Sequence, residues 1–194
     1  YRVYVGIPKK PAPSQGFPSF YALDGNALLE SLNAQNLTEL NQRNAPPVLV
    51  LIGYATDERF DVVARAYDYT PRPIHGETSP DMMDPSRQNG GADLLLDLIA
   101  NQIRPAVSQL TRINPNEQTL WGHSYGGLFS LYALLTRPQL FQTYVSADPS
   151  IWTQNGAISQ YSEQFKQNSG TLAPTHLWLM KSGQERPERQ LDER

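Results

Sequence analysis

The sequence predicts an α/β fold, a mostly parallel central sheet flanked by helices, and three observations carry this prediction. Residues 47–53 form the continuous apolar run of a strand that is covered on both faces. Segments with strand-like composition alternate along the chain with segments of helical spacing, as in a sheet with right-handed crossovers. A glycine-flanked serine, Ser124, lies between an apolar strand and an apolar helix. A chain of 194 residues can bury a sizeable core as one domain, residues 1–194.

The first half of the chain contains three predicted strands and one predicted helix. Strands are expected at residues 2–7 and 17–23, separated by a proline-rich turn, and at 47–53. Residues 27–41 have leucines at helical spacing, with Asn26 as the expected N-cap. Residues 54–91 show no sustained periodicity, and a connection of that length in a compact domain is typically functional or disordered.

The second half alternates helices and strands around Ser124. A helix is predicted over residues 92–109, with Pro105 bending it or ending its regular part. A short buried strand at 119–121 precedes the serine, and an apolar helix at 128–135 follows it. Strands at 141–147 and 176–181, the last one buried, flank a weakly helical segment at 155–167. The leucines and isoleucines expected on the buried face of the first of these helices are Leu94, Leu95, Leu98, Ile99 and Ile103.

Charge and composition exclude several classes of function. The formal net charge of -3 gives no basic field for nucleic acid, and no apolar run approaches the roughly 20 residues of a membrane-spanning helix. We therefore expect neither nucleic acid nor a membrane as a partner. The absence of cysteine removes disulfides, thiolate metal sites and cysteine nucleophiles. Such a chain is compatible with the cytoplasm or the periplasm, with a slight preference for the periplasm.

The segment Gly122-His123-Ser124-Tyr125-Gly126 has the Gly-x-Ser-x-Gly pattern of a nucleophile elbow, in the expected context of strand, turn and helix. Because the two glycines have no Cβ, the strand and the helix can approach closely. Ser124 Oγ is then expected to act as a nucleophile, with the Tyr125 amide as an oxyanion donor. A second donor is expected from the amide of Tyr54, which follows the strand at 47–53.

A serine nucleophile needs a base, normally histidine. His123 is adjacent to Ser124, so its side chain is expected to point away. His176 opens a strand at the wrong end of the sheet, and His75 lies in the long loop, either lining a pocket or solvated. None of the three follows the chain order serine, acid, histidine. We therefore expect the base downstream of Arg194, in a chain that is truncated at both ends.

The acid that orients such a base has two candidates. Glu185 lies just past the last predicted strand, where a triad acid is expected, although it could equally be a solvated charge in a charged tail. Asp148, just past the preceding strand, is the weaker candidate. The mechanism requires neither a metal nor an organic cofactor.

Four segments together resemble a known family. They are Phe20-Tyr21-Ala22-Leu23-Asp24-Gly25-Asn26, then Ile52-Gly53-Tyr54, residues 65–71 ending in Asp68-Tyr69-Thr70-Pro71, and the elbow itself. They resemble the esterase D family of α/β-hydrolases, and most closely its branch that hydrolyses trilactone siderophores of the enterobactin, salmochelin and bacillibactin type.

This resemblance implies roles for individual residues. Ser124 matches the nucleophile, and Tyr54 and Tyr125 match the residues that supply the oxyanion amides. Glu185 lies in the region of the acid, although some siderophore esterases work with a Ser-His dyad. The histidine of the family lies near the carboxyl terminus, beyond Arg194.

Ferric catecholate siderophores are large, anionic and aromatic, and the chain offers groups that suit them. Arg65, His75 and Trp152 are the expected substrate-binding residues, although a structural pairing of Arg65 with Asp68 is an equal expectation. Further cations and aromatic rings that could surround such a pocket are Arg59, Arg72, Lys181, Arg186, Tyr54, Tyr67 and Tyr69.

The sequence therefore predicts a serine carboxylic-ester hydrolase that acts through an acyl-enzyme on a small-molecule ester, namely the trilactone of a ferric catecholate siderophore. One alternative keeps the mechanism and changes the substrate to a feruloyl or other carbohydrate ester or a small thioester. The other alternative is a non-catalytic binding protein with a hydrolase fold.

Overall fold

Among the described residues six strands form one sheet, and their order decides which loops lie beside Ser124. The computed structural model describes residues 1–168 and 173–183. The strands in chain order are β1 (Arg2–Gly6), β2 (Phe17–Ala22), β3 (Val48–Gly53), β4 (Ser79–Pro80), β5 (Gln88–Asn89), β6 (Ile113–His123), β7 (Thr143–Ala147) and β8 (His176–Met180). The sheet order is β1-β3-β2-β6-β7-β8, and β4 pairs separately with β5. Only β1 runs antiparallel to its neighbour in this sheet, so the predicted mostly parallel α/β fold is confirmed.

The centre of the sheet is β2, which lies between β3 and β6. Its Tyr21 pairs with Val50 of β3 on one side and with Leu120 of β6 on the other, and all three residues are fully buried. The apolar run of β3 is therefore explained as predicted, because both of its faces are covered.

Helices cover the two faces of this sheet. They are α1 (Gly25–Ser31), α2 (Ala34–Gln42), α3 (Ala64–Asp68), α4 (Ala92–Leu98), α5 (Arg104–Leu110), α6 (Tyr125–Thr136), α7 (Thr153–Gly156) and α8 (Ile158–Asn168). The most buried of them is α6, which packs against β6 and β7 and contributes Leu128, Phe129 and Ala133 to the core.

The single helix predicted for residues 27–41 is wrong, because the structure has two helices there. Asn33 separates them and caps α2: its Oδ1 accepts a hydrogen bond from Asn36 N–H at 2.9 Å, and Asn36 Oδ1 accepts one from Asn33 N–H. Asn26 is not the N-cap of the first helix. That helix begins at Gly25, after Asp24 in a left-handed conformation with φ 54°.

The helix predicted for residues 92–109 is interrupted as Pro105 indicates. Residues 99–103 form a π-helical turn between α4 and α5, in which Arg104 N–H donates to Ile99 O five residues earlier. Proline has no N–H and disturbs regular helical bonding, so a turn of this kind accommodates it. Leu94 was wrongly placed on the buried face. It is exposed, and Leu96 is buried in its stead beside Leu95 and Ile99.

Three further expectations need correction. The loop at 54–91 contains α3 and the β4–β5 hairpin, and β6 is 11 residues long, not three. The last strand, β8, is not buried: all five of its residues are exposed, Trp178 by 64%. Its principal neighbour among the described residues is β7, which makes it the edge of the described sheet. No helix of the described residues is both long and apolar enough to cross a membrane.

The junction of β6 and α6 depends on two glycines. A Cβ placed on Gly122 would lie 2.1 Å from Gly126 O and 2.3 Å from Gly126 C, so strand and helix cross at backbone contact. A Cβ on Gly127 would lie 2.6 Å from Ala147 O, which packs the same helix turn onto the end of β7.

Gly122→Ala should therefore lower the free energy of unfolding by about 3 kcal/mol, because the added methyl group meets backbone atoms that have no room to move. Urea unfolding followed by circular dichroism measures the change. Gly6→Ala is the control, since its Cβ would meet Leu49 Cβ at an ordinary 3.6 Å. Equal stabilities of the two variants would contradict the close crossing.

Candidate active site

Ser124 occupies the single residue between β6 and α6. Its φ of 59° and ψ of −115° lie outside both regular conformations, and it is half-buried at the carboxyl end of β6. Three main-chain hydrogen bonds hold it there. Its N–H donates to Ala147 O at 2.9 Å, and its carbonyl accepts from Leu128 N–H at 3.0 Å and from Ser150 N–H at 3.2 Å. A non-glycine residue at such a φ persists only where its surroundings enforce it.

The neighbour of the Ser124 hydroxyl was not anticipated from the sequence. Ser124 Oγ lies 3.2 Å from Ser150 Oγ, and either hydroxyl can be the donor. Ser150 is buried and follows β7 at the same edge of the sheet. The sequence feature that could have indicated it is the segment Asp148-Pro149-Ser150, which ends the predicted strand after the elbow. Within residues 1–168 and 173–183, Ser124 Oγ has no other side-chain partner.

The amide of Tyr125 is available as a donor beside this hydroxyl. Tyr125 opens α6, and the first N–H groups of a helix have no acceptor within the helix. The first helical bond of α6 is that of Leu128 N–H to Ser124 O. This end of the helix also carries the positive end of its dipole, which favours negative charge at the position next to Ser124.

The expected second oxyanion donor, the Tyr54 amide, is corrected by the structure. Tyr54 N–H already donates to Asn26 Oδ1 at 2.9 Å. It also follows β3, which β2 separates from β6, so at about 4.8 Å per strand spacing it starts some 10 Å from the elbow strand. The loop beside the elbow is the one after β2. A Cβ on Gly126 would lie 3.5 Å from Leu23 Cβ and 3.9 Å from Asp24 Oδ2.

Arg65 fixes the loop after β2. Its Nε donates to Asp24 Oδ1 at 2.9 Å and its Nη2 to Asp24 Oδ2 at 2.8 Å, with both side chains largely buried. The expected pairing of Arg65 with Asp68 is therefore wrong. Asp24 N–H in turn donates to the hydroxyl of Tyr69 at 3.1 Å. Burial alone would lower the pKa of Arg65, but the hydrogen bonds and charge of Asp24 raise it overall.

Asp68 belongs to a different group of contacts. Its Oδ2 accepts hydrogen bonds from the hydroxyls of Tyr1, at 2.8 Å, and Tyr54, at 2.9 Å. Burial raises the pKa of Asp68 and outweighs the lowering by these two donors. Tyr54 and Tyr69 are buried, so these two rings belong to the core and do not offer flat surface to a substrate.

The long loop is attached to the elbow through Asp81, a fully buried residue that the sequence analysis missed. Its Oδ2 accepts from the Tyr125 hydroxyl at 2.7 Å, and its Oδ1 accepts from Met83 N–H and Asp84 N–H. Burial raises the pKa of Asp81, but these hydrogen bonds lower it further, to below its usual value. An aspartate that bonds the amide two residues on is a turn signal that is readable in sequence.

Of the expected substrate-binding residues, the structure brings two to the elbow. The ring of Tyr125 lies between the guanidinium of Arg65, 5.5 Å from its centroid, and the ring of Trp152, 6.2 Å away. Trp152 is 46% exposed, so part of its ring is open to solvent beside Tyr125.

His75 is not brought to the elbow. It is exposed, has φ 61°, and lies with Arg72 and Asp93 along a polar cleft that reaches Tyr132. Tyr132 is seven residues along α6 from Tyr125, or about 10 Å at 1.5 Å per residue. Two of the other expected cations are engaged elsewhere, since Arg59 pairs with Glu30 and Arg72 with Asp93.

None of the other candidate titratable groups among the described residues has a hydrogen bond to Ser124 Oγ. His123 is exposed beside Asp148, with 3.7 Å between Nε2 and Oδ2, and has no hydrogen bond to Ser124. Asp148 Oδ1 accepts from Ser182 N–H at 2.6 Å. His176 opens β8 at the opposite end of the sheet. Glu185 and Arg186 lie outside the described residues.

An apolar cavity of about 410 Å³, larger than the cleft beside His75, lies away from this site. Its lining includes Ile7, Leu37 and Leu49. These residues belong to α2 and to the ends of β1 and β3 that are opposite to the carboxyl end of β6. Size alone therefore does not identify the functional site in this fold.

Arg65→Met should lower the free energy of unfolding by about 3 kcal/mol, because it leaves the carboxylate of Asp24 buried without its partner. Thermal and urea unfolding measure this. Arg59→Met is the matched control, because the Arg59–Glu30 pair is more than half exposed and its loss should change stability by about 0.5 kcal/mol. A cost for Arg65→Met no larger than that of the control would show that the Asp24 pair does not stabilise the fold.

Asp81→Asn should lower stability by about 1–3 kcal/mol at pH 7 and by progressively less in acid. The pKa of Asp81 is lower in the folded chain than its unfolded value of about 3.9. Its stabilisation is therefore complete above about pH 4 and is lost as the pH falls through the folded pKa.

The melting temperatures of both proteins between pH 3 and pH 7 test this, with the exposed Asp57→Asn as the control. A difference between the wild type and Asp81→Asn that stays constant over this range would contradict the assignment.

The comparisons with known proteins agree with this geometry. A family model described as "Putative esterase" matches residues 1–184. An apo-salmochelin esterase of Escherichia coli O6:H1 is 41% identical over 151 residues, which cover 78% of this chain and 47% of that protein. A ferri-bacillibactin esterase, BesA, of Bacillus subtilis is 33% identical over 171 residues, which cover 85% of this chain and 58% of that protein. The chain thus spans about half the length of these two relatives.

A solved structure of the enterobactin hydrolase IroE in complex with DFP superposes on the chain with a TM-score of 0.75 and 34% identity. The match covers 92% of this chain and 68% of that one. These comparisons confirm the fold and the family resemblance inferred from the sequence. The chain belongs to the esterase family whose model matches residues 1–184.

Proposed function

We propose that the protein is a serine carboxylic-ester hydrolase with Ser124 as its nucleophile. The observation that supports this best is the backbone of Ser124 itself. A residue held at φ 59° between a buried strand and a helix presents a half-exposed hydroxyl beside the free amides of that helix. These are the parts that an acyl transfer needs at one point: an attacking oxygen and donors for the charge that develops on the carbonyl.

The oxyanion site proposed here differs from the one expected from sequence in its second donor. The Tyr125 amide remains the first. For the second we propose the amide of Gly25 or Asn26 in place of that of Tyr54, because these residues follow the strand next to β6, and the Asp24 N–H between them and that strand already donates to Tyr69. Three contacts support a fixed geometry for the turn 24–26: Asp24 with Arg65, Asp24 N–H with the Tyr69 hydroxyl, and the Asn26 side chain with Tyr54.

The base is proposed to be the histidine expected downstream of Arg194, with Glu185 as its candidate acid. The base removes the proton from Ser124 as Oγ attacks the ester carbonyl, and the proton then passes to the leaving alcohol. Water releases the acyl group by the reverse sequence. Within the described residues, neither His75, His123 nor His176 has a hydrogen bond to Ser124 Oγ, so this role does not fall to them.

We propose the trilactone of a ferric catecholate siderophore as the substrate. Relatives that carry the names of salmochelin, bacillibactin and enterobactin esterases support this choice. The exposed ring of Trp152 offers a face on which a catechol can stack. Arg65 contributes less charge than expected, because Asp24 neutralises it and its role is to hold the turn after β2.

Ser124→Ala should abolish turnover of a p-nitrophenyl acyl ester by the full-length protein, because no other group replaces the attacking oxygen. Ser159→Ala is the control, since Ser159 is exposed and its hydroxyl donates to Gly156 O, away from Ser124. Turnover retained by Ser124→Ala would remove the nucleophile assignment.

The substrate is tested with the same protein on ferric enterobactin, a feruloyl ester and a small thioester, with products read by chromatography. The trilactone should have the highest kcat/KM. A preference for the feruloyl ester or the thioester would reject the proposed substrate and retain the mechanism, and no turnover of any ester would favour a binding protein.

A further inference from the structure

We propose that Ser150 is a positioning residue for the nucleophile, and this rests on the function proposed above. Two different atoms of Ser150 contact Ser124. Its Oγ lies 3.2 Å from Ser124 Oγ, and its N–H donates to the Ser124 carbonyl at 3.2 Å. One residue of a neighbouring loop thus holds both the backbone and the hydroxyl of the proposed nucleophile.

The loop that carries Ser150 is itself held at both ends. Ser124 N–H donates to Ala147 O at its start, and Thr153 Oγ1 donates to Ser150 O at 3.0 Å at its end. Between these, Asp148 has φ 41° and its N–H donates to Met180 O of β8. The backbone that carries the Ser150 hydroxyl is therefore fixed by hydrogen bonds to Ser124, to Met180 of β8 and to the Thr153 side chain.

The direction of the bond between the two hydroxyls follows from the chemistry of the nucleophile. A hydroxyl has one proton and two lone pairs, and the proton of Ser124 must be left for the base. Ser150 O–H then donates to a lone pair of Ser124 Oγ. The bond strengthens as charge develops on that oxygen, since hydrogen bonds to charged groups are the stronger ones.

The same bond assists release of the acyl group. Water adds to the acyl carbon and gives its proton to the base, and the bond between the acyl carbon and Ser124 Oγ then breaks. The electron pair of that bond stays on Oγ, which takes the proton from the protonated base. Throughout this step Ser150 O–H donates to the oxygen that is becoming negative, and it transfers no proton itself.

Ser150→Ala in the full-length protein tests the inference, together with a control on β7, the strand that precedes Ser150. We expect kcat for p-nitrophenyl acetate and the rate of labelling by a fluorophosphonate probe to fall about 10- to 100-fold, with KM changed less than about threefold. The control is Ser146→Ala. Ser146 is also buried, but its hydroxyl donates to Gly127 O and not to the nucleophile, so kcat should stay near that of the wild type.

Ser150→Cys keeps the volume and weakens the hydrogen bond, so it should lower kcat in the same direction even if the alanine variant fails to fold. Wild-type kcat and labelling rates in a folded Ser150 variant would overturn the inference and leave Ser124 as the nucleophile. Mapping the probe adduct separates the two proposals. An adduct on Ser124 supports the proposed function, and the rates of the Ser150 variants then decide the positioning role. An adduct on Ser150 rejects the positioning role, and no adduct on the wild-type protein rejects the proposed function itself.

Discussion

The backbone contact between Gly122 and Gly126 is the constraint on which the rest of the site depends. Because strand and helix approach so closely, Ser124 alone separates β6 from α6. The chain therefore changes direction between them at the φ and ψ of this one residue. A side chain on Gly122 would meet the backbone of Gly126 and separate strand and helix. The helix amides would then no longer lie next to the hydroxyl. The strain at Ser124 is thus a consequence of close packing, and the hydrogen bonds from the ends of β7 and α6 maintain it.

One short turn beside this junction makes several buried polar contacts. Asp24 has a left-handed backbone, a bidentate ion pair with Arg65 and an amide bonded to Tyr69. Left-handed conformation is unfavourable for a residue with a Cβ, and burial of a carboxylate is unfavourable without a partner. The ion pair with Arg65 and the hydrogen bond to Tyr69 offset these two costs and fix the turn beside the elbow.

The esterase relatives and the geometry address different questions. The relatives show the family and suggest a class of ester, while the contacts of Arg65, Asp81 and Ser150 show how this chain organises its own site. Arg65 illustrates the difference, because a cation that suits an anionic substrate in composition is committed to Asp24 in space. Trp152 keeps an exposed ring beside Tyr125 and remains the side chain that suits an aromatic substrate.

The sequence by itself determined the α/β class, the elbow at Ser124 and the family, because these follow from local patterns: an apolar run, two glycines at fixed spacing and a strand followed by a helix. Only the tertiary structure decided which loops meet there. Tyr54 follows the most obvious strand in the sequence, yet β2 lies between that strand and β6, so a turn after a weaker strand lies beside the serine. Asp24 with Arg65, Asp81 with Tyr125 and Ser150 with Ser124 are separated by 26 to 44 residues. No local pattern encodes such pairings, because the order of strands in the sheet brings them together.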